Sequence, residues 1–70
     1  MLRIRWEMYE GGLLTNDIAE RAGIAPETLS RIVNGKQAPG YGEGQSAARI
    51  AKAVGWSGDV HALFKEIEVS

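Results

Sequence analysis

Gly23 stands alone between two short helical patterns, and no other residue restricts the arrangement of this chain so strongly. The stretch from Thr15 to Gly35 reads TNDIAERAGIAPETLSRIVNG. Before Gly23, the apolar positions Leu14, Ile18, Ala19 and Ala22 follow a helical spacing, Thr15 is placed to cap, and Asp17 sits near the positive end. After it, Pro26 suits a first helical position and Glu27 complements the amino-terminal dipole. Leu29, Ile32 and Val33 then lie at i, i+3 and i+4 as a buried stripe, and Asn34-Gly35 ends the element. A glycine takes the positive φ that closes a helix at no steric cost, so the two helices turn at Gly23.

The remaining punctuation yields three more helices. Residues 2 to 10 place Ile4 and Met8 four apart and Trp6, Tyr9 and Leu13 at spacings of three and four, which predicts a helix ending at Gly11 and Gly12. Alternation over Leu2, Ile4, Trp6 and Met8 also suits a strand, and Trp6 is expected as a core anchor. GKQAPGYGEG, from Gly35 to Gly44, is a loop. A fourth helix runs from about Ser46, expected as its cap, to Gly55, and its alanines permit close approach of a neighbour. A last helix is expected from about Asp59, its cap, with Val60, Leu63, Phe64 and Ile67 on one stripe. Residues 1–70 thus read as a single all-α domain.

Composition narrows the function. At 70 residues, folding hides only about 60% of the surface the unfolded chain exposes, so the core is small. The chain has no cysteine for a disulfide or thiolate site, and His61 alone makes no zinc centre, so no metal or cofactor is expected. Arg3 and Arg5 are followed by Glu7 and Glu10 and not by an apolar stretch, and no apolar run approaches the roughly 20 residues that span a bilayer. A soluble, cytoplasmic protein is the expectation. No nucleophile and base pair or phosphate-cradling loop suggests an enzyme or a small-molecule ligand. Net charge is −1, but Arg21, Arg31, Lys36, Arg49 and Lys52 dominate the middle, whereas Asp59, Glu66 and Glu68 make the tail acidic.

Two short helices joined by a glycine-containing turn form a helix-turn-helix unit, whose second helix enters the DNA major groove. Ala19 is small where the helices cross, Ile24 plugs the angle between them, and Leu29 with Ile32 presses the second helix onto the rest. The outward residues Pro26, Glu27, Thr28 and Arg31 are then the candidate base readers. Arginine's paired donors match guanine O6 and N7, glutamate accepts from the cytosine amino group, and Thr28 and the proline ring suit a thymine methyl. The competing assignment for Arg31 is an i, i+4 ion pair with Glu27, worth only about 0.3–0.5 kcal/mol. Thr15 and Asn16, where open amides and the dipole suit an anion, and Asn34, Lys36 and Gln37 after the recognition helix are candidate DNA-backbone contacts.

LLTNDIAERAGIAPETLSRIVNGKQAP followed by ARIAKAVGW resembles the Cro/C1-type (XRE) helix-turn-helix family of prokaryotic and phage transcription regulators, from about Ile4 to Phe64. The core of the motif also echoes the LacI-type headpiece, which ranks second because a helix precedes the motif here. The first resemblance implies a five-helix fold and a sequence-specific regulator, most often a repressor, that binds double-stranded DNA as a homodimer through its last helices. Trp56, Leu63, Phe64 and Ile67 are the corresponding dimer candidates, with core packing the favoured role for most of them. It places the family's phosphate-contacting glutamine on Thr15 and its asparagine on Asn34. Many members pair an arginine on the first helix with a glutamate before the Asn-Gly; those positions here are Met8 and Val33, a joint change that leaves no buried unpaired charge. GYGEGQS lengthens the link to the fourth helix, and Tyr41 within it is expected to shield the core before it contacts DNA. The alternative function is a small helical protein-interaction module or accessory protein with the same fold and no strong DNA binding, for example one that docks a partner on an acidic last helix.

Overall fold

A computed structural model describes residues 1–68. Among them the chain forms α1 (Arg3–Glu10), α2 (Thr15–Ala22), α3 (Pro26–Val33), α4 (Ser46–Val54) and α5 (Val60–Leu63), with no strand. Three of the closures follow the glycines: Gly23, Gly35 and Gly55 have φ of 72°, 76° and 76°. At Gly23 this lets its own N–H and that of Ile24 return to the carbonyls of Glu20 and Ala19, at 3.2 and 3.0 Å. Two of the last α2 carbonyls that would otherwise lack partners are thereby satisfied before the chain enters α3.

One core joins all five helices. Ile4, Ile18, Leu29, Ile50 and Leu63 are fully buried, one from each helix, and Ile32 joins them. Each such side chain contributes about 1.5–3 kcal/mol relative to exposure. Ala19 and Ala22 of α2 and Ala47 and Ala51 of α4 are buried beside them, so the alanines lie where α2 and α4 pack closely. Met8 and Val33 are both buried in this cluster.

Four local expectations are corrected. Thr15 and Ser46 do not cap: Leu14 and Gln45 occupy the N-cap positions, and neither helix start has a side-chain cap bond. Leu14, read as an apolar helix position, is 66% exposed because the chain before α2 is extended there. Trp6 lies half-buried outside the core and packs tilted against Tyr9, with ring centroids 6.2 Å apart.

The fourth concerns the last helix, which ends at Leu63. Beyond it, residues 65–67 pair with residues 1–3: Arg3 N–H donates to the Lys65 carbonyl and Ile67 N–H to the Met1 carbonyl, both at 2.9 Å. Leu2 and Glu66 form an antiparallel bridge, and the amino-terminal ammonium meets Glu66 Oε2 at 2.8 Å. Arg3 N–H is a first-turn donor of α1 that no side chain caps, so this pairing satisfies a group the helix itself leaves open. Ile67 therefore leaves the helical stripe. The acidic residues expected on the last helix lie outside it, since α5 carries no carboxylate and Glu66, 76% exposed, pairs with the amino terminus.

Candidate nucleic-acid interface

The core holds α3 by one side only. Leu29, Ile32 and Val33 face inward, while Pro26, Glu27, Ser30 and Arg31 are exposed and Thr28 is half-buried. The four candidate base readers thus share a helix whose outer face is largely exposed among the described residues, with Thr28 the least accessible. Pro26 is at the start of α3, after an extended Ala25, and no side chain caps the first amides of the helix.

Arg31 does not pair with Glu27. Its Nε–H donates to Gln37 Oε1 at 3.1 Å, because the chain folds back over the last turn of α3. That return is fixed by Gly35 at φ 76°, with Gly35 N–H on the Ile32 carbonyl at 3.1 Å and Lys36 N–H on the Arg31 carbonyl at 2.8 Å. Asn34 is similarly engaged: its Nδ2 donates to the Ser30 carbonyl at 2.9 Å, and its Oδ1 accepts from Arg5 Nη1 at 3.1 Å. Arg5, which the sequence reading did not select, therefore joins Arg31 and Lys36 at the carboxyl-terminal end of α3. No local signal would have found it, since the contact spans 29 residues and depends on where α1 packs.

These three cations have an open electrostatic environment. Among the described residues, no carboxylate lies within ion-pairing distance of Arg5, Arg31 or Lys36. Their fields add at one end of a helix whose dipole is negative there, which favours cations at that position. At the other end of the unit, Thr15 and Asn16 are exposed at the start of α2, where free amides suit an anion. Asp17 already places a carboxylate in that first turn, so a phosphate there meets both donors and a like charge. Arg49 of α4 lies beside the turn, its Nη1 3.7 Å from where a Cβ on Gly23 would stand.

The dimer candidates are largely engaged inside the fold. Leu63 is fully buried and Phe64 is 9% exposed, so both are core residues and neither offers a surface to a partner. Trp56 packs against the core, donates its Nε1–H to the Asp59 carbonyl at 3.0 Å, and has the Arg3 guanidinium 5.3 Å from its ring. Ile67 is half-buried beside the terminal pairing. Tyr41 is 41% exposed, while its ring stacks on His61 at 4.3 Å and meets Phe64 edge-on at 6.0 Å. Behind this ring, Leu2, Ile32, Gly35, Gln37, Ala38, Pro39 and Phe64 complete a shallow cavity of about 200 Å³.

Asp59 caps α5 by accepting the His61 N–H at 3.1 Å, and the His61 ring Nδ1 lies 3.3 Å from the same oxygen. The bond from the His61 backbone, then the one from its ring, hold the Asp59 carboxyl below the usual aspartate range. No cluster of histidine, cysteine, aspartate or glutamate among the described residues is arranged to hold a metal ion, and no helix is long and apolar enough to cross a membrane. Comparison of the chain with known protein families, with curated proteins and with solved structures yields no match.

Proposed function

We propose that this chain is a sequence-specific, double-stranded DNA-binding regulator of transcription with a Cro/C1-like helix-turn-helix architecture. α3 enters the major groove, and two copies act on a pseudo-palindromic site, with repression the expected result. The observation that carries this reading is the division of α3 into two faces. Leu29, Ile32 and Val33 anchor it, while Pro26, Glu27 and Arg31 remain exposed, with Arg5 and Lys36 at its carboxyl-terminal end.

Each group has a role in that reading. Arg31 meets guanine O6 and N7, Glu27 meets a cytosine amino group, and Pro26 with Thr28 contacts a thymine methyl. Arg5, Lys36 and Gln37 hold phosphates on one side of the groove, and Thr15 with Asn16 holds them on the other. Asn34 acts through Arg5, orienting its guanidinium. With a net charge of −1, a single copy neutralises few phosphates, and the second subunit supplies the rest of the affinity. Dimerisation uses surface outside the core residues Leu63 and Phe64.

Selection of bound duplexes from a random pool, followed by titration in salt, tests the proposal. The expected product is a symmetric site with half-sites about 34 Å apart. Its binding constant should fall linearly on a log-log plot, by about 0.9 per neutralised phosphate. A chain that retains no duplex even in low salt is not a DNA-binding regulator.

A further inference from the structure

We propose that Gln37 is a positioning residue that makes Arg31 read guanine end-on, an inference that rests on α3 being the base-reading helix. An exposed arginine normally samples many rotamers, and immobilising such a side chain on binding costs about 0.5–1.5 kcal/mol. Arg31 is instead held at two points by adjacent residues: its carbonyl accepts from Lys36 N–H at 2.8 Å, and its Nε–H donates to Gln37 Oε1 at 3.1 Å. The turn at Gly35, φ 76°, brings the returning chain onto the Arg31 carbonyl and places Gln37 within reach of the head group, which the Nε–H bond restrains.

The chemistry of the pair fixes its direction. A guanidinium has donors only, so the amide oxygen of Gln37 must face Arg31 and its NH₂ faces away. With Nε–H occupied, the side-on approach that uses Nε and one Nη is closed. The two Nη groups remain as a fork, and they match the O6 and N7 acceptors of one guanine. The outward NH₂ of Gln37 is left as a donor to a phosphate oxygen. One residue thus serves base preference through its oxygen and general affinity through its nitrogen.

Substitution separates these two functions. Gln37→Leu removes both, whereas Gln37→Glu keeps an acceptor for Nε–H and replaces the donor with a negative charge. Competition binding with every single-base variant of the selected site gives the readout. Gln37→Leu should reduce the guanine preference at the base pair read by Arg31 by about two- to tenfold, leaving the other positions unchanged. Gln37→Glu should restore that preference while lowering affinity for all sequences alike. If Arg31→Ala abolishes the preference but Gln37→Leu does not alter it, the brace is refuted and the DNA reading stands. If Arg31→Ala changes no preference, the assignment of α3 as the reading helix fails and this inference fails with it. Exchange of the Arg31 Nε–H in the protein without DNA is an independent check. It should be slowed in the wild type and in Gln37→Glu and released in Gln37→Leu; rapid exchange in the wild type overturns the brace whatever the DNA result.

Discussion

Arg5 Nη1 donates to Asn34 Oδ1 at 3.1 Å, tying the first helix to the end of the third. Asn34 in turn donates to the Ser30 carbonyl, so the amide is fixed and the Arg5 guanidinium is directed by it. In the proposed complex with DNA, a cation aimed in this way contacts phosphate and carries no base information. Arg5→Ala should therefore weaken binding about equally for all duplexes and reduce the salt slope by about one. As an exposed contact, it should change folding stability by no more than about 0.5 kcal/mol. A changed base preference in the competition series would contradict this role.

Gly23 tests the turn itself. Its φ of 72° is left-handed, but a Cβ placed there would meet nothing closer than Arg49 Nη1 at 3.7 Å. The cost of Gly23→Ala is thus backbone strain without a clash, about 1–2 kcal/mol. Gly23→Asn should cost less, since asparagine tolerates that conformation. Thermal unfolding of the two variants gives the comparison, and equal midpoints for glycine and alanine would mean that the turn is not held as described.

Asp59 gives a pH dependence with a definite sign. Its folded-state carboxyl is more acidic than in the unfolded chain, first through the His61 backbone N–H and then through the His61 ring. Its stabilisation is complete above the unfolded value and is lost as pH falls through the lower folded value. Asp59→Asn keeps an N-cap acceptor but does not titrate. The wild type should melt higher than Asp59→Asn at neutral pH, with the gap closing in acid. A gap that persists unchanged at low pH would show that the charge is not the source.

Tyr41 distinguishes shielding from DNA contact. Its ring is stacked on His61 and edge-on to Phe64, contacts worth about 0.5–1.5 kcal/mol beyond buried area. Tyr41→Ala should lower the thermal midpoint and leave the salt slope of duplex binding unaltered. If instead the slope falls and the midpoint holds, the ring serves the phosphate backbone.

The helix-turn-helix stretch was legible because its signals are local. Pro26, Gly23 and Gly35 act on their own backbone angles, and Ile18, Leu29, Ile32 and Val33 repeat within two turns of a helix. Those residues determined α2, α3, the turn between them and the inward face, and with them which side chains point outward. Even local signals misled where two neighbours compete for one role, as at Thr15 and Ser46, because a cap is set by one residue's backbone angles and not by its hydroxyl. Tertiary structure alone decided the rest. Residues 65–67 left their helical pattern because residues 1–3 offered partners for the backbone. Arg5 met Asn34, and Arg31 turned from Glu27 to Gln37, because folding brought distant or returning segments within hydrogen-bond reach. Propensity and periodicity act over one or two turns of chain, whereas the orientation of a long polar side chain depends on what the completed fold places beside it.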